Sequence, residues 1–264
     1  MDKSKELPIL LKVVEEKYLQ STLSGNIFFG SLDLYKSAEN QQGDKIIGDA
    51  NEGKLKNEIN VANIRLESRE PHMELSIPMM KSPKGKVTQE TRMKEDDNTG
   101  VCSFIGLSSD DFEVCGQKDG RTLFKLRQAV IDDIAKLLKG KEEFTGNKCR
   151  IILFDKNELM SRLEDIGIKC CPVRYYDTNN VKEYWELVRK KIPLYLLKTQ
   201  VYQYQREYRI VKRLEENKKG EVVSLNVTNI GKPITLPELA NYILVCNVDL
   251  FQVSKLAKWI TEKK

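Results

Sequence analysis

Side chains that could do chemistry recur at every second position of the run YQYQREYRIVK, residues Tyr202–Lys212. Alternation of this kind predicts a strand, in which residues two apart share one face. That face would carry two amides, a carboxylate and a guanidinium: Gln203, Gln205, Glu207 and Arg209. Such a row suits a polar cleft that grips hydroxyls and anions. An exposed sheet face with cross-strand pairs would show the same pattern, so spacing alone leaves both interpretations open.

Glu207 is the candidate catalytic residue of this row. A carboxylate there could hold a ribose hydroxyl or stabilise positive charge that develops during a reaction. Arg209 could bind a phosphate through two parallel hydrogen bonds. The only histidine, His72, follows Pro71 in a predicted loop or edge strand. Any general base is therefore expected to be a carboxylate.

A second group of candidate residues lies in the acidic, glycine-rich loop NQQGDKIIGDANEG. Its Asp44, Asp49 and Glu52 could ligate a divalent cation through oxygen. The spacing differs from that of an EF-hand loop, and Asp and Gly are ordinary turn residues. We therefore expect a solvated loop and no bound metal, and rank metal-dependent nuclease action last among the functions considered.

Positive charge is concentrated between residues 181 and 219, which hold eleven Lys or Arg against five Glu. Trp185 and several tyrosines are interleaved with them, as on a nucleic-acid surface. A charge run is also a common solvated face. The candidate basic surface consists of five residues: Arg189, Lys190, Lys191, Lys212 and Arg213.

Composition excludes several classes of protein. The chain has 264 residues, a formal net charge of +5 and 40% hydrophobic residues, enough for a core without disulfides or metal. Its six cysteines form no C-x-x-C pair, which disfavours zinc ribbons and thioredoxin-like sites. The chain contains neither of the glycine-rich phosphate-binding motifs G-x-G-x-x-G and G-x-x-x-x-G-K-[ST]. No apolar stretch approaches the roughly 18 residues that span a bilayer, so we expect a cytoplasmic protein without a membrane partner.

The elements that must position these residues alternate without a regular order. We predict helices over Pro8–Leu23, Thr122–Leu138, Asn157–Leu163, Val181–Lys191 and Leu250–Lys263. We predict strands over Glu58–Leu66, Met73–Ile77, Val101–Ser108, Arg150–Phe154, Lys169–Tyr176, Tyr202–Leu214, Glu221–Val227 and Tyr242–Val248.

Strands outnumber helices in this prediction, which favours an α+β fold over a doubly wound sheet. We expect a single domain over residues 1–264, with a mainly antiparallel central sheet, flanking helices and a mobile excursion around residues 81–98. The strand that begins at Glu221 is expected to pair with Tyr202–Leu214 as a hairpin.

The order of the segments resembles a bacterial family, a domain of unknown function whose members are often encoded near anti-phage defence genes. The matching stretches are NIFFGSLDLYK with GDANEG, VCSFIGLS, VRYYD, LLKTQVYQYQREYRIV and LANYILVCNV. The sequence departs from the family pattern where GDANEG replaces an "NDPf" element and where a "W-s-H-Y" histidine is missing. The resemblance implies roles for Lys198, Glu207 and Arg209, and for Asp49 and Glu52.

The spacing of Gln205-Arg206-Glu207 is also similar to the Q-x-E element of ADP-ribosyltransferases. That resemblance implies that Glu207 binds the nicotinamide ribose of NAD as substrate. The Arg or His that such enzymes use against the NAD phosphates has no firm counterpart, and Lys12 and Lys36 are its only candidates.

We therefore expect a protein of anti-phage defence or counter-defence with a cleft for a nucleotide or polyanion. Glu207 would be catalytic if the protein consumes NAD, and no cofactor is predicted. The substrate would be bound by Lys198, Gln203, Gln205, Arg209 and Tyr35. The alternative is a non-catalytic module that binds nucleic acid or a protein of a defence system through the basic surface.

Overall fold

The computed structural model describes residues 6–32, 34–35, 54–60, 80–81, 86–92, 98–216, 218–225 and 229–246. They form an α+β fold with a large, mainly antiparallel sheet flanked by helices, which confirms the predicted fold class. Among these residues, no helix is both long and apolar enough to cross a membrane.

The secondary-structure elements are numbered here in chain order. The strands are β1 (Glu6–Glu15), β2 (Asn26–Ser31), β3 (Lys54–Asn60), β4 (Met80–Lys81), β5 (Lys86–Arg92), β6 (Thr99–Ser108), β7 (Phe112–Lys118), β8 (Arg121–Leu126), β9 (Cys149–Asp155), β10 (Lys169–Pro172), β11 (Arg174–Tyr176), β12 (Leu197–Thr199), β13 (Glu207–Arg213), β14 (Gly220–Ser224), β15 (Gly231–Ile234) and β16 (Ile243–Cys246). The α-helices are α1 (Leu19–Leu23), α2 (Gln128–Thr145), α3 (Lys156–Glu164), α4 (Val181–Arg189) and α5 (Leu236–Ala240).

The main sheet has the order β10-β13-β6-β1-β9-β15, and β2 and β14 form a side branch. Strand β13 pairs with one edge of β6 from Thr99 to Ile105. On the other edge, β1 pairs from Ile105 to Ser108, whereas β2 pairs only at Gly100 and Val101. Between them, at residues 102–104, no described strand pairs with that edge. The sheet therefore forks at β6, and a cleft opens between the two branches.

Helices cover both faces of the sheet next to this fork. Leu159 and Leu163 of α3 pack in one core cluster, which contains Leu10 of β1. Ile131 and Ile134 of α2 pack in a second core cluster, which contains Leu11 of β1. Because neighbouring residues of β1 are buried on opposite faces, both faces of this strand need apolar side chains.

This burial explains why the prediction of a helix over Pro8–Leu23 is wrong. The apolar run PILLKVV is consistent with either a buried strand or a buried helix, and periodicity alone does not separate them. The chain is extended from Glu6 to Glu15 and is α-helical only over Leu19–Leu23.

Two further predictions of local structure are corrected. The first residues of the predicted helix Thr122–Leu138 belong to β8, which pairs with β7, and helix α2 begins only at Gln128. The strand after Glu221 pairs with β2 and forms no hairpin with β13. The first case is a local hairpin through Asp119-Gly120, both of which have positive φ, as a two-residue hairpin turn requires. The second depends on strand pairing between distant segments, which local pattern does not show.

The predicted strand Lys169–Tyr176 is interrupted at Val173, whose backbone N–H donates to the Glu207 carbonyl at 3.0 Å. Before the break β10 pairs with β13, and after it β11 pairs in parallel with β12. Because this break carries β11 towards β12, Tyr175 and Lys198 come to lie side by side.

The second half of the chain otherwise follows the predicted order. Helices α3 and α4 match their predicted ranges to within two residues, and β16 lies within the predicted strand Tyr242–Val248. Within residues 81–98, the predicted excursion, strand β5 pairs with β3. The predicted helix Leu250–Lys263 and strand Met73–Ile77 lie outside the described residues.

Candidate functional site

Two adjoining pockets occupy the fork of the sheet. The inner pocket has a volume of about 170 Å³ and lies over β13 and β6, with Glu207 and Ser103 in its lining. The outer pocket, of about 490 Å³, lies between β1, α1 and the β2–β14 branch. Lys12, Tyr35 and Lys141 line both pockets, so these three side chains form the boundary between them.

Glu207 is the centre of a buried charge network. Its exposed fraction is 6%, and that of Arg209 is 1%. The two residues are two apart on β13, so they share a face, and Arg209 Nε donates to Glu207 Oε1 at 2.7 Å. Lys198 Nζ donates to Glu207 Oε2 at 2.8 Å. The Ser103 hydroxyl also donates to Glu207 Oε1, so both carboxylate oxygens are hydrogen-bonded.

A turn before β13 brings Gln205 into this network. Residues Gln200–Gln205 form a 3₁₀-helix, and Arg206 has the left-handed backbone φ of 46°. That conformation is costly for a residue with a side chain. Arg206 Nε donates to Asp111 at 2.8 Å and its Nη1 donates to Asp133 at 2.6 Å, which fixes the turn. As a result, Gln205 Oε1 accepts a hydrogen bond from Lys198 Nζ at 2.7 Å.

The network keeps Glu207 ionised. Burial alone would raise the pKa of this carboxyl. The charges of Arg209 and Lys198 and their hydrogen bonds outweigh burial and hold the pKa far below its usual value of 4.5. Arg209 also donates to the Tyr195 carbonyl. Glu207 is therefore a fixed anion with two cationic neighbours, and it has no proton to give near pH 7.

Tyr175 supports the backbone of Glu207. Its hydroxyl accepts a hydrogen bond from the Glu207 backbone N–H at 2.7 Å. Burial, and then the Glu207 charge, raise the pKa of Tyr175 far above its usual value of 10.0. The phenol is therefore neutral, and it acts as a polar support of the strand end.

Lys12 enters the fork from β1. The last residue of β1 before it that pairs with β6 is Leu11. Beyond that point the Lys12 ammonium donates to the Ser103 carbonyl at 3.0 Å and contacts Cys102 Sγ at 3.0 Å. It also lies 4.8 Å from the centre of the Phe104 ring. Lys12 thus fills the part of the β6 edge that neither branch covers, and Ser103 connects it to Glu207.

Lys141 enters the same boundary from α2. This helix ends at Gly146, which has the left-handed φ of 66°. The Lys141 ammonium donates to the Val13 carbonyl at 2.8 Å. Burial, followed by the nearby charge of Lys12, lowers the pKa of Lys141 to about 8. Two ammonium groups therefore face one boundary, and each donates only to neutral acceptors within the described part of the chain.

The structure brings together the predicted catalytic residue, Glu207, and four of the five predicted substrate-binding residues. The inner pocket is lined by Glu207 and by Lys198, Gln205, Arg209 and Tyr35. Gln203 does not line it, because its side chain points outward from the 3₁₀-helix and is exposed. The prediction of one continuous strand from Tyr202 is wrong, because residues up to Gln205 form a 3₁₀-helix and the strand begins only at Glu207. Asp44, Asp49, Glu52 and Lys36 lie outside the described residues.

The predicted basic surface is divided between two parts of the molecule. Arg189, Lys190 and Lys191 follow one another at the exposed end of α4. Lys212 and Arg213 lie at the far end of β13, and Lys212 forms an ion pair with Glu221 of β14. The positive charges are therefore on separate elements, and one of them is already paired.

Sequence reasoning missed Lys141 and Ser103. Lys141 occupies an ordinary position near the end of an amphipathic helix, and Ser103 alternates within an apolar strand. Lys12 was a candidate only through the resemblance to ADP-ribosyltransferases. The available signal was a lysine inside the otherwise apolar run PILLKVV, because a buried strand rarely keeps a lysine without a reason.

Among the described residues, no group of three or more His, Cys, Asp or Glu side chains could hold a metal ion. The inner pocket is lined by four cationic side chains and one carboxylate, Glu207. No family model, curated protein or solved structure matches the chain significantly.

Proposed function

We propose that the cleft binds a small molecule that carries a phosphate or diphosphate group. The observation that carries this proposal is the pair of ammonium groups, Lys12 and Lys141, at the boundary of the two pockets. Neither forms an ion pair with a described residue, and each donates only to uncharged acceptors. An anion placed between them would relieve their mutual repulsion and accept charge-assisted hydrogen bonds.

The charge balance of the inner pocket supports the same ligand. Four cationic side chains line it, and they face a single carboxylate, Glu207. Lys198 and Arg209 both bind Glu207 directly, so they form a set with one excess charge. Lys12 and Lys141 add two more. A pocket with low-dielectric walls and an excess of one sign concentrates ligands of the opposite sign.

The role of Glu207 in this proposal is to position its neighbours. It holds Lys198 and Arg209 at the base of the inner pocket, where their positive charge adds to that of Lys12 and Lys141. Because two cations already balance its charge, Glu207 is better suited to this task than to general acid–base chemistry.

Calorimetric titration with inorganic pyrophosphate tests the proposal. We expect Lys12→Met and Lys141→Met each to weaken binding by about tenfold, which is what one lost charge-assisted contact costs. Lys139→Met is the matched control, because Lys139 lies on the same helix, is exposed and pairs with Glu143 at 3.6 Å. The proposal fails if pyrophosphate does not bind, or if the Lys141 and Lys139 variants bind it equally.

NAD consumption is the second candidate function, and one observation favours it. Glu207 is ionised and lines the inner pocket, where it could stabilise the positive charge that develops on a ribose as its glycosidic bond breaks. Incubation with NAD, followed by mass spectrometry, would show that the wild type releases nicotinamide from NAD and that Glu207→Gln does not. Equal turnover by both proteins would exclude this role.

Binding of nucleic acid or of a defence-system protein through the basic surface stays a prediction. Charge reversal of Arg189, Lys190 and Lys191 to Glu would abolish such binding and leave pyrophosphate binding intact. That result would separate the surface from the cleft.

A further inference from the structure

The outer pocket is lined by large apolar side chains that are open to solvent. The exposed fractions of Tyr18, Phe28 and Val222 are 53%, 48% and 59%. All three line this one pocket, although they come from three different elements. Folded chains bury most such side chains, and an exposed group of them beside a polar site marks a place for an apolar ligand.

Strand pairing shapes the wall of this pocket. Phe28 of β2 and Val222 of β14 lie directly opposite each other across the antiparallel pair. On β14, Gly220 lies against the Phe28 ring, where a Cβ atom would collide with it. The absence of a side chain there leaves room for the ring to lie along the strand pair. Tyr18 lies on another side, and Lys17 is 4.9 Å from the centre of its ring.

Polar groups border the apolar surface. Asn26 and Glu15 line the same pocket. No hydrogen bond joins the Asn26 carboxamide to another described residue, so it can donate to and accept from a ligand. Glu15 is held by Lys17 at 2.9 Å and by Asn147 at 2.9 Å. A flat ring with polar edges could stack on the aromatic side chains and bond to the amide.

We propose that the ligand of the cleft is a nucleoside phosphate, with its base in the outer pocket against Phe28 and Tyr18 and its phosphate between Lys12 and Lys141. This inference rests on the proposed function, because it uses the same anion site. The outer pocket, at about 490 Å³, falls in the size range of small-molecule sites. Stacking on aromatic side chains is a common way to hold a base.

The two pockets explain why a base and a phosphate fit together here. The lysine pair belongs to both pockets, so a ligand anchored there reaches the aromatic wall on one side. The ribose joins the base to the phosphate and therefore lies on that same side, and only a group attached beyond the phosphate would reach Ser103 and the Glu207 network. A purely apolar ligand would leave the ammonium groups unpaired, and an anion without a ring would leave the aromatic wall exposed.

Calorimetric titration with three kinds of probe tests this inference: the four nucleoside 5′-monophosphates, ribose 5-phosphate and inorganic pyrophosphate. We expect at least one nucleotide to bind about tenfold more tightly than ribose 5-phosphate, since stacking of one base on an aromatic ring contributes roughly that factor. Phe28→Ala should remove this difference and leave the affinity for pyrophosphate unchanged. Val114→Ala, at a similarly exposed position on β7, is the matched control and should change neither.

The possible failures are distinguishable. If pyrophosphate binds but every nucleotide binds no better than ribose 5-phosphate, the base pocket is wrong and the proposed anion site stands. If Phe28→Ala and Tyr18→Ala both keep the full preference for a nucleotide, the base lies elsewhere and the inference is overturned. If none of these probes binds, both proposals fail. Where a nucleotide binds, titration with a short 5′-phosphorylated oligonucleotide distinguishes a free nucleotide from the end of a strand, which share this chemistry.

Discussion

The charged residues of the inner pocket and those of its boundary with the outer pocket differ in how they are paired. Glu207, Lys198 and Arg209 are buried, whereas Lys12 and Lys141 are half-buried. At the inner end, Glu207 is hydrogen-bonded by Lys198, Arg209 and Ser103, so the anion and its neighbours complete one another. At the boundary, Lys12 and Lys141 line the same two pockets and donate only to neutral acceptors among the described residues. The first arrangement fixes geometry, and the second leaves two ammonium groups without an ion pair to any described residue.

The difference predicts opposite responses to mutation. Removing one partner from a completed buried network leaves the others unpaired, which is costly. Removing one of two like charges relieves repulsion and desolvation, so the protein gains stability as it loses binding. Stability and affinity should therefore change together at the inner end and in opposite directions at the boundary.

Glu207→Gln should have the largest effect. The substitution keeps the shape of the side chain but leaves the buried charges of Lys198 and Arg209 without an anion. We expect it to lower the free energy of unfolding by about 3 kcal/mol, measured by urea denaturation at pH 7. Glu113→Gln is the matched control, because Glu113 pairs with Lys125 in an exposed position, and it should cause no measurable change. Equal stability of both variants would contradict the network.

The pH dependence of this difference gives a second check on Glu207. Its pKa is lower in the folded protein than the usual 4.5. The stability that it contributes is therefore complete above pH 4.5 and is lost as the pH falls below that value. The gap between wild type and Glu207→Gln should stay constant from pH 7 to pH 5 and narrow in more acidic solution.

Lys141→Met should have the next largest effect, with the opposite sign. The folded protein holds the pKa of Lys141 at about 8, below its usual 10.5. Between these values the unfolded chain binds a proton that the folded chain does not, so wild-type stability gains about 2 kcal/mol as the pH rises. The variant lacks that gain, and the stability difference between the two proteins across this range measures it. A difference that is independent of pH would show that Lys141 is not desolvated.

Anion binding should return to Lys141 the proton that it loses near pH 8. A phosphate beside Lys141 favours the charged ammonium, so the protein takes up protons on binding near pH 8.5. Titration in two buffers with different ionisation enthalpies measures this uptake. Lys141→Met should show none.

Asn57→Leu should have the smallest effect. It tests the same comparison for an uncharged side chain that has no hydrogen-bond partner among the described residues. Asn57 of β3 has an exposed fraction of 0%, and no hydrogen-bond partner is found for its carboxamide oxygen and nitrogen within the described structure. Leu55, on the same strand face, packs with Tyr176 and Tyr184. A leucine of similar size should raise the free energy of unfolding by about 1 kcal/mol, measured by urea denaturation. If Asn57→Leu is less stable than the wild type and Asn57→Gln is not, the Asn57 amide does form hydrogen bonds.

Much of the fold was accessible from sequence because its pattern is local. The α+β class follows from many short strands that do not alternate regularly with helices. The alternation that places Glu207 and Arg209 on one face also holds in the structure, from the start of β13 onward. Where a strand is half polar, period two is a clear signal.

The remaining parts of the site depend on contacts between distant segments. The turn at Arg206 is fixed by Asp111 and Asp133, which lie about 70 to 100 residues earlier in the chain. The alternation of Tyr and Gln before it therefore suggested a strand where a 3₁₀-helix forms. Lys12 and Lys141 meet only because β1 diverges from β6 and α2 crosses beside it, which no local pattern encodes.

The fork at β6 gives the cleft a mechanical consequence. Among the described strands, the two arms of the sheet, β1-β9-β15 and β2-β14, share only β6, and residues 102–104 are their junction. A ligand that touched Lys12 on one arm and Phe28 on the other would act as a cross-brace and fix the angle between them. Ligand binding would then reduce the motion of the strands in both arms relative to each other, including strands that the ligand does not contact.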